Sequence, residues 1–72
     1  MDISFEVLSY QGGSTYYCQL LVSSRNPVVY DQQFYMLRSI TNLMVGHRYH
    51  AVRLPEPDSG GVYNITRPVE VQ

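Results

Sequence analysis

A mainly β, antiparallel fold is predicted for this chain, and three observations predict it. Residues Ile3 to Leu8 (ISFEVL) put Ile3, Phe5 and Val7 on one side and Ser4 and Glu6 on the other, the period of a half-buried strand. The Gly12-Gly13 pair inside SYQGGST supplies positive φ at small steric cost, and so joins that strand by a hairpin to a second run, Thr15 to Val22 (TYYCQLLV). Towards the other end, PEPDSGG breaks the chain between two more extended segments, Arg48 to Leu54 and Val62 to Val71, the latter carrying Pro68 as an edge strand can.

The middle of the chain supports two readings. SSRNP is a loop, since Pro27 forces Asn26 out of helical geometry. After it, residues 31–45 read as a helix: Asp31 caps the start, Phe34, Leu37, Ile40 and Met44 line one face, and Gly46 stands just past the end. As a strand, FYMLRSITNL alternates less cleanly, because Arg38 falls on the same side as Phe34, Met36 and Ile40. Periodicity leans towards the helix, which would make a β-β-α-β-β unit with the helix packed on a four-stranded antiparallel sheet.

Length and charge set the bounds on function. At 72 residues the chain makes a single small domain over 1–72. A domain of this size hides only about 60% of the surface of its unfolded chain, which leaves no room for a deep catalytic cleft. One cysteine, Cys18, allows neither an internal disulfide nor an all-cysteine zinc site. No run approaches the roughly 20 apolar residues that span a bilayer, and MDISFEV lacks the basic-then-apolar pattern of a signal peptide, so a soluble chain is expected and membranes are not. Net charge is -1 and the five arginines are scattered, so the composition carries no electrostatic footprint for a phosphate backbone, and nucleic acid is not an expected partner.

The candidate chemical motifs are better read as structure. His47 and His50 would share a face on a helix but point to opposite faces of an extended segment, and Cys18 is the only other soft donor, so no metal site is expected. Cys18 itself sits in an apolar strand between Tyr17 and Gln19, which suits a buried thiol and not a nucleophile. Asn64-Ile65-Thr66 has the form of a glycosylation acceptor, relevant only in a secreted chain. Catalytic residues and cofactors are accordingly expected to be absent, and the protein is read as a non-enzyme.

The stretch NLMVGHRYHAV carries a resemblance. It resembles the link between the fifth and sixth strands of a fibronectin type III domain, in which a leucine is followed three positions later by glycine and six later by tyrosine; Leu43, Gly46 and Tyr49 hold those places. The resemblance implies that the Tyr49 ring packs inward while its hydroxyl bonds to backbone just upstream. EPDSGGV, ITRPVEV and SFEVLSYQGGST are similar to the family's last turn, final strand and third strand with its hairpin. The family's first two strands have no counterpart here. A partial sandwich of the later five strands would expose a sheet face and an edge, implying a homodimer or strand complementation by another chain. Strict alternation from Tyr49 would also turn Arg53 inward and leave Val52 and Leu54 outside, unless a bulge shifts the register.

Seven tyrosines with no tryptophan are more rings than so small a core can hold, so some must face outward. Exposed rings beside apolar neighbours suit protein contact. The sequence therefore predicts a protein-protein interaction module binding through a tyrosine-rich sheet face, with Leu8, Tyr10, Tyr17, His50 and Val52 as the contact residues. The alternative β-β-α-β-β fold would suit a small viral or mobile-element inhibitor that blocks a larger host enzyme or complex by steric contact.

Overall fold

The computed structural model describes residues 1–71. It is mainly β, with five strands and, among the described residues, no helix: β1 (Asp2–Gly12), β2 (Thr15–Ser23), β3 (Val29–Arg38), β4 (Arg48–Arg53) and β5 (Tyr63–Glu70). The strands close into a barrel in the order β1-β2-β3-β5-β4. Four of them, in the spatial order β4-β1-β2-β3, form a Greek key. β5 enters between β3 and β4, antiparallel to β4 and parallel to β3. The seam between β3 and β5 is short, pairing Leu37 with Tyr63 and Arg38 with Asn64.

Closure is the first difference from the expected partial sandwich. The open edge of that arrangement is paired within the chain, because β1 takes β4 along its second side from Asp2↔Val52 to Glu6↔Arg48. This removes the physical reason for covering that edge with another strand. The second difference is residues 31–45, which form no helix: β3 occupies the first part and an irregular loop the rest. The helical spacing of Phe34, Leu37, Ile40 and Met44 does not describe one face, since Leu37 is fully buried while Ile40 is 98% exposed. Tyr, Phe and Val in this stretch favour a pleated surface, and β2 offers a ladder from Thr15↔Arg38 to Gln19↔Phe34.

The hairpin between β1 and β2 follows from its residues. Gly12 pairs with Thr15, so Gly13 and Ser14 form a two-residue loop, and both have positive φ (58° and 62°), as a type I′ turn requires. Glycine carries the first of these without strain; Ser14 carries the second at some cost.

The core is one cluster inside the barrel. Phe5, Val7, Cys18 and Leu37 are fully buried, with Tyr16, Leu43, Tyr49, Ala51 and Ile65 around them, and Phe5 stacks on Tyr49 at 5.9 Å. Alternation on β4 continues unbroken: Tyr49 and Ala51 are buried, and Arg53 turns towards the same side, its guanidinium 4.2 Å from the centre of the Tyr63 ring. The register shift near this strand lies instead on β5, where two residues, Arg67 and Pro68, oppose the single Ala51 and Arg67 adopts a φ of 55°.

Tyr49 joins the core to the loop that follows β3. Its hydroxyl accepts the Met44 amide at 2.8 Å, and the neighbouring Leu43 amide is taken by the Tyr16 hydroxyl at 3.1 Å. Gly46, with φ of 89°, turns the chain so that its amide donates to the Val7 carbonyl.

Candidate functional site

β3 presents two different faces to its surroundings. Tyr35 and Leu37 point to the core, whereas Phe34, Met36 and Arg38 lie on the outer face, next to Tyr17 and Gln19 of β2. The side that carries Arg38 is therefore the solvent side, and Phe34 and Met36 belong to it. On this outer face the rings of Tyr17 and Phe34 stack at 5.8 Å between centroids, only 13° from parallel, while 37% and 43% of the two residues remain exposed. Their contact follows from the register, since Tyr17 pairs with Met36 and Gln19 with Phe34, making the two aromatics diagonal neighbours.

Polar groups frame this stack. Arg38 reaches Asp58 in the loop between β4 and β5, with 38% of its side chain exposed. Backbone amides of Val62 and Gly60 also donate to Asp58, and these bonds with the Arg38 guanidinium hold its carboxyl below the usual range. On the opposite flank, the Tyr30 hydroxyl donates to Glu6 Oε1 at 2.6 Å and Arg48 lies 3.3 Å from the same oxygen. The hydrogen bond to Glu6 raises the Tyr30 phenol above its ordinary value. Gln19 completes the surface by donating to the Asp31 carbonyl at 2.7 Å, filling the irregularity where β3 runs ahead of β2.

The five contact residues read from sequence do not form one patch. Tyr10 and Tyr17 lie on β1 and β2, Tyr10 being 56% exposed with its ring 5.1 Å from Tyr16, and Leu8 sits half-buried at the β1 bulge between Val7 and Ser9. His50 and Val52 lie on β4, with β1 between them and β2, and line a separate groove. Of the structural residues, Leu43 and Tyr49 are buried and Gly46 occupies the turn. Phe34, Met36 and Arg38 were missed as a surface. The signal present in the sequence was Arg38 itself, whose charge marked its side of the strand as the wet one.

The remaining motifs take structural places. His47 Nδ1 lies 2.7 Å from Glu70, His50 bonds to Ser4, and no group of three or more His, Cys, Asp or Glu among the described residues is placed to hold a metal. Cys18 is fully buried, and burial pushes its thiol up to about 12. A thiol so shielded is a poor nucleophile.

No protein-family model, no curated protein and no solved structure matches this chain.

Proposed function

We propose that this protein binds single-stranded nucleic acid on the outer face of β2 and β3, without sequence readout. The observation that carries this reading is the near-parallel stack of Tyr17 and Phe34, an aromatic pair left partly in water on the outer face. Bases stack on such rings regardless of identity because every base has a π-face, and each stacked base contributes about 1–3 kcal/mol. A five-stranded Greek-key barrel whose second and third strands form the ligand face, with the β1–β2 and β4–β5 loops beside it, is also the arrangement by which OB-type barrels take up oligonucleotides. Here Tyr10 stands near the first of those loops, and Arg38 is tied to Asp58 in the second.

The composition argument against nucleic acid becomes a quantitative expectation. With net charge -1 and few arginines near the platform, phosphate contacts contribute little and stacking carries the affinity. Binding of a fluorescein-labelled oligothymidine, followed by anisotropy, is expected to weaken about 5- to 150-fold in Tyr17→Ala and in Phe34→Ala, as loss of about 1–3 kcal/mol of stacking implies. A parent protein that leaves the oligonucleotide free at low salt, or variants that bind as tightly as the parent, would reject the proposal.

A second reading keeps the surface and changes the partner. The same rings, together with the exposed side chains of Val29 and Tyr30 on β3, suit a protein partner, and the absence of a basic cluster favours it. In that case the protein is the non-enzymatic interaction module that the tyrosine content suggests, acting through the barrel face in place of the sheet face. Binding by the parent decides between them: a protein ligand that is retained by the parent and lost in Tyr17→Ala, with no oligonucleotide bound, supports the second reading.

A further inference from the structure

A groove of roughly 480 Å³ runs along the outer face of β1 and β4, bordered by the β5 bulge, and the stacking platform makes no use of it. Arg67, His50, Ser4 and Asp2 line it. The His50 ring is held from both sides, with Nδ1 2.5 Å from Ser4 Oγ and Nε2 3.3 Å from Ser24 Oγ. Arg67 occupies the bulge opposite Ala51 in a left-handed conformation that a side chain rarely adopts. Arg38 and Arg48 each have a carboxylate within ion-pair distance, whereas Arg67 has none among the described residues.

We infer that this groove is a subsite for a phosphate of the strand laid across Tyr17 and Phe34; the inference rests on the nucleic-acid reading given above. The Arg67 guanidinium, with no carboxylate at ion-pair distance among the described residues, supplies the donors, and its planar fork matches phosphate oxygens, while His50 and Ser4, bonded to one another, form the polar wall beside it. Asp2 is the one opposing group. Position agrees with the assignment. On the closed barrel three strand spacings lead from His50 round to Phe34 across β4, β1, β2 and β3, a path of about 14 Å along the curved wall at about 4.8 Å per spacing, so a strand that touches both must wrap around β1 and β2. Ser24, which touches the His50 ring, belongs to the segment that leaves β2, the strand of Tyr17.

Anisotropy of the labelled oligothymidine across a salt series, with the full chain, tests this. Arg67→Gln is expected to weaken binding and to make the slope of log affinity against log salt shallower by about 0.7, the loss of one phosphate contact on a single strand. Asp2→Asn is expected to tighten binding, and inorganic phosphate alone to shift the amide NMR signals of Ser4, His50 and Arg67. An unchanged slope in Arg67→Gln, with binding still lost in Tyr17→Ala, overturns the subsite and leaves the stacking surface standing. Shifts with inorganic phosphate but an unchanged slope assign the groove to free phosphate and likewise overturn it. Parent-like binding in Arg67→Gln and Tyr17→Ala together removes both readings.

Discussion

The two halves of β3 behave as different materials. From Tyr35 to Arg38 the strand is clamped between β2 and β5, with Leu37 fully buried and Tyr35 edge-on to Tyr63 at 5.5 Å. From Val29 to Phe34 only β2 accompanies it, and Val29, Tyr30 and Phe34 are each more than two-fifths exposed. Composition does not distinguish them, since both halves carry aromatic rings. What separates them is the reach of β5, which pairs with the strand only at Leu37 and Arg38. Apolar character therefore stabilises the barrel in one half and faces solvent in the other.

The widest gap between the halves is expected in folding stability. Leu37→Ala should cost about 2–5 kcal/mol, enough to unfold much of a domain this small, and urea denaturation followed by circular dichroism measures it. Phe34→Ala should stay within about 0.5 kcal/mol of the parent in the same experiment, because its ring is partly solvated and leaves no sealed cavity. Equal losses in the two variants would erase the distinction and make Phe34 a core residue. Next in size is Tyr49→Phe, which leaves the Met44 amide without its acceptor. About 1 kcal/mol, or roughly 4–8 °C in Tm for a chain of this length, is the expected change.

The smallest effect concerns acid, at the clamped end. The folded protein favours the ionised form of Asp58, whose ordinary value is 3.8, through the Val62 amide, Arg38 and the Gly60 amide. Its contribution is present above 3.8 and is lost as the pH falls from there through the lower folded value. Thermal melts taken downward through this window should show a Tm decline that Asp58→Asn flattens. A decline of the same steepness in the variant would assign the acid sensitivity to other carboxylates.

Four strands were legible because each depends on its own residues. Ile3, Phe5 and Val7 alternate, Gly12-Gly13 turns the chain, and Tyr49 with Ala51 fixes the inner side of β4. β3 was hidden because Phe34, Leu37, Ile40 and Met44 fit a helix, and because its apolar residues lie on both sides, leaving the charge of Arg38 as the mark of the wet one. Closure was hidden for a similar reason, since nothing local to β5 states that it will run parallel beside β3. The Tyr17–Phe34 stack needs the register Gln19↔Phe34, a relation between distant residues that periodicity within either segment does not encode. Arg67 posed a further difficulty: its left-handed backbone is unusual for arginine, so no residue preference announced the bulge.

The loop after β3 is fastened from beneath by two phenols on different strands, Tyr16 and Tyr49, which take consecutive amides at Leu43 and Met44. Its freedom to lengthen is therefore uneven. Extra residues inserted between Ile40 and Asn42 would only enlarge an outward tip, whereas a single one placed between Leu43 and Gly46 would pull an amide off its oxygen and drag the barrel wall with it. Descendants of this chain can elaborate that crest freely, but its footing is bound to the fate of two interior rings.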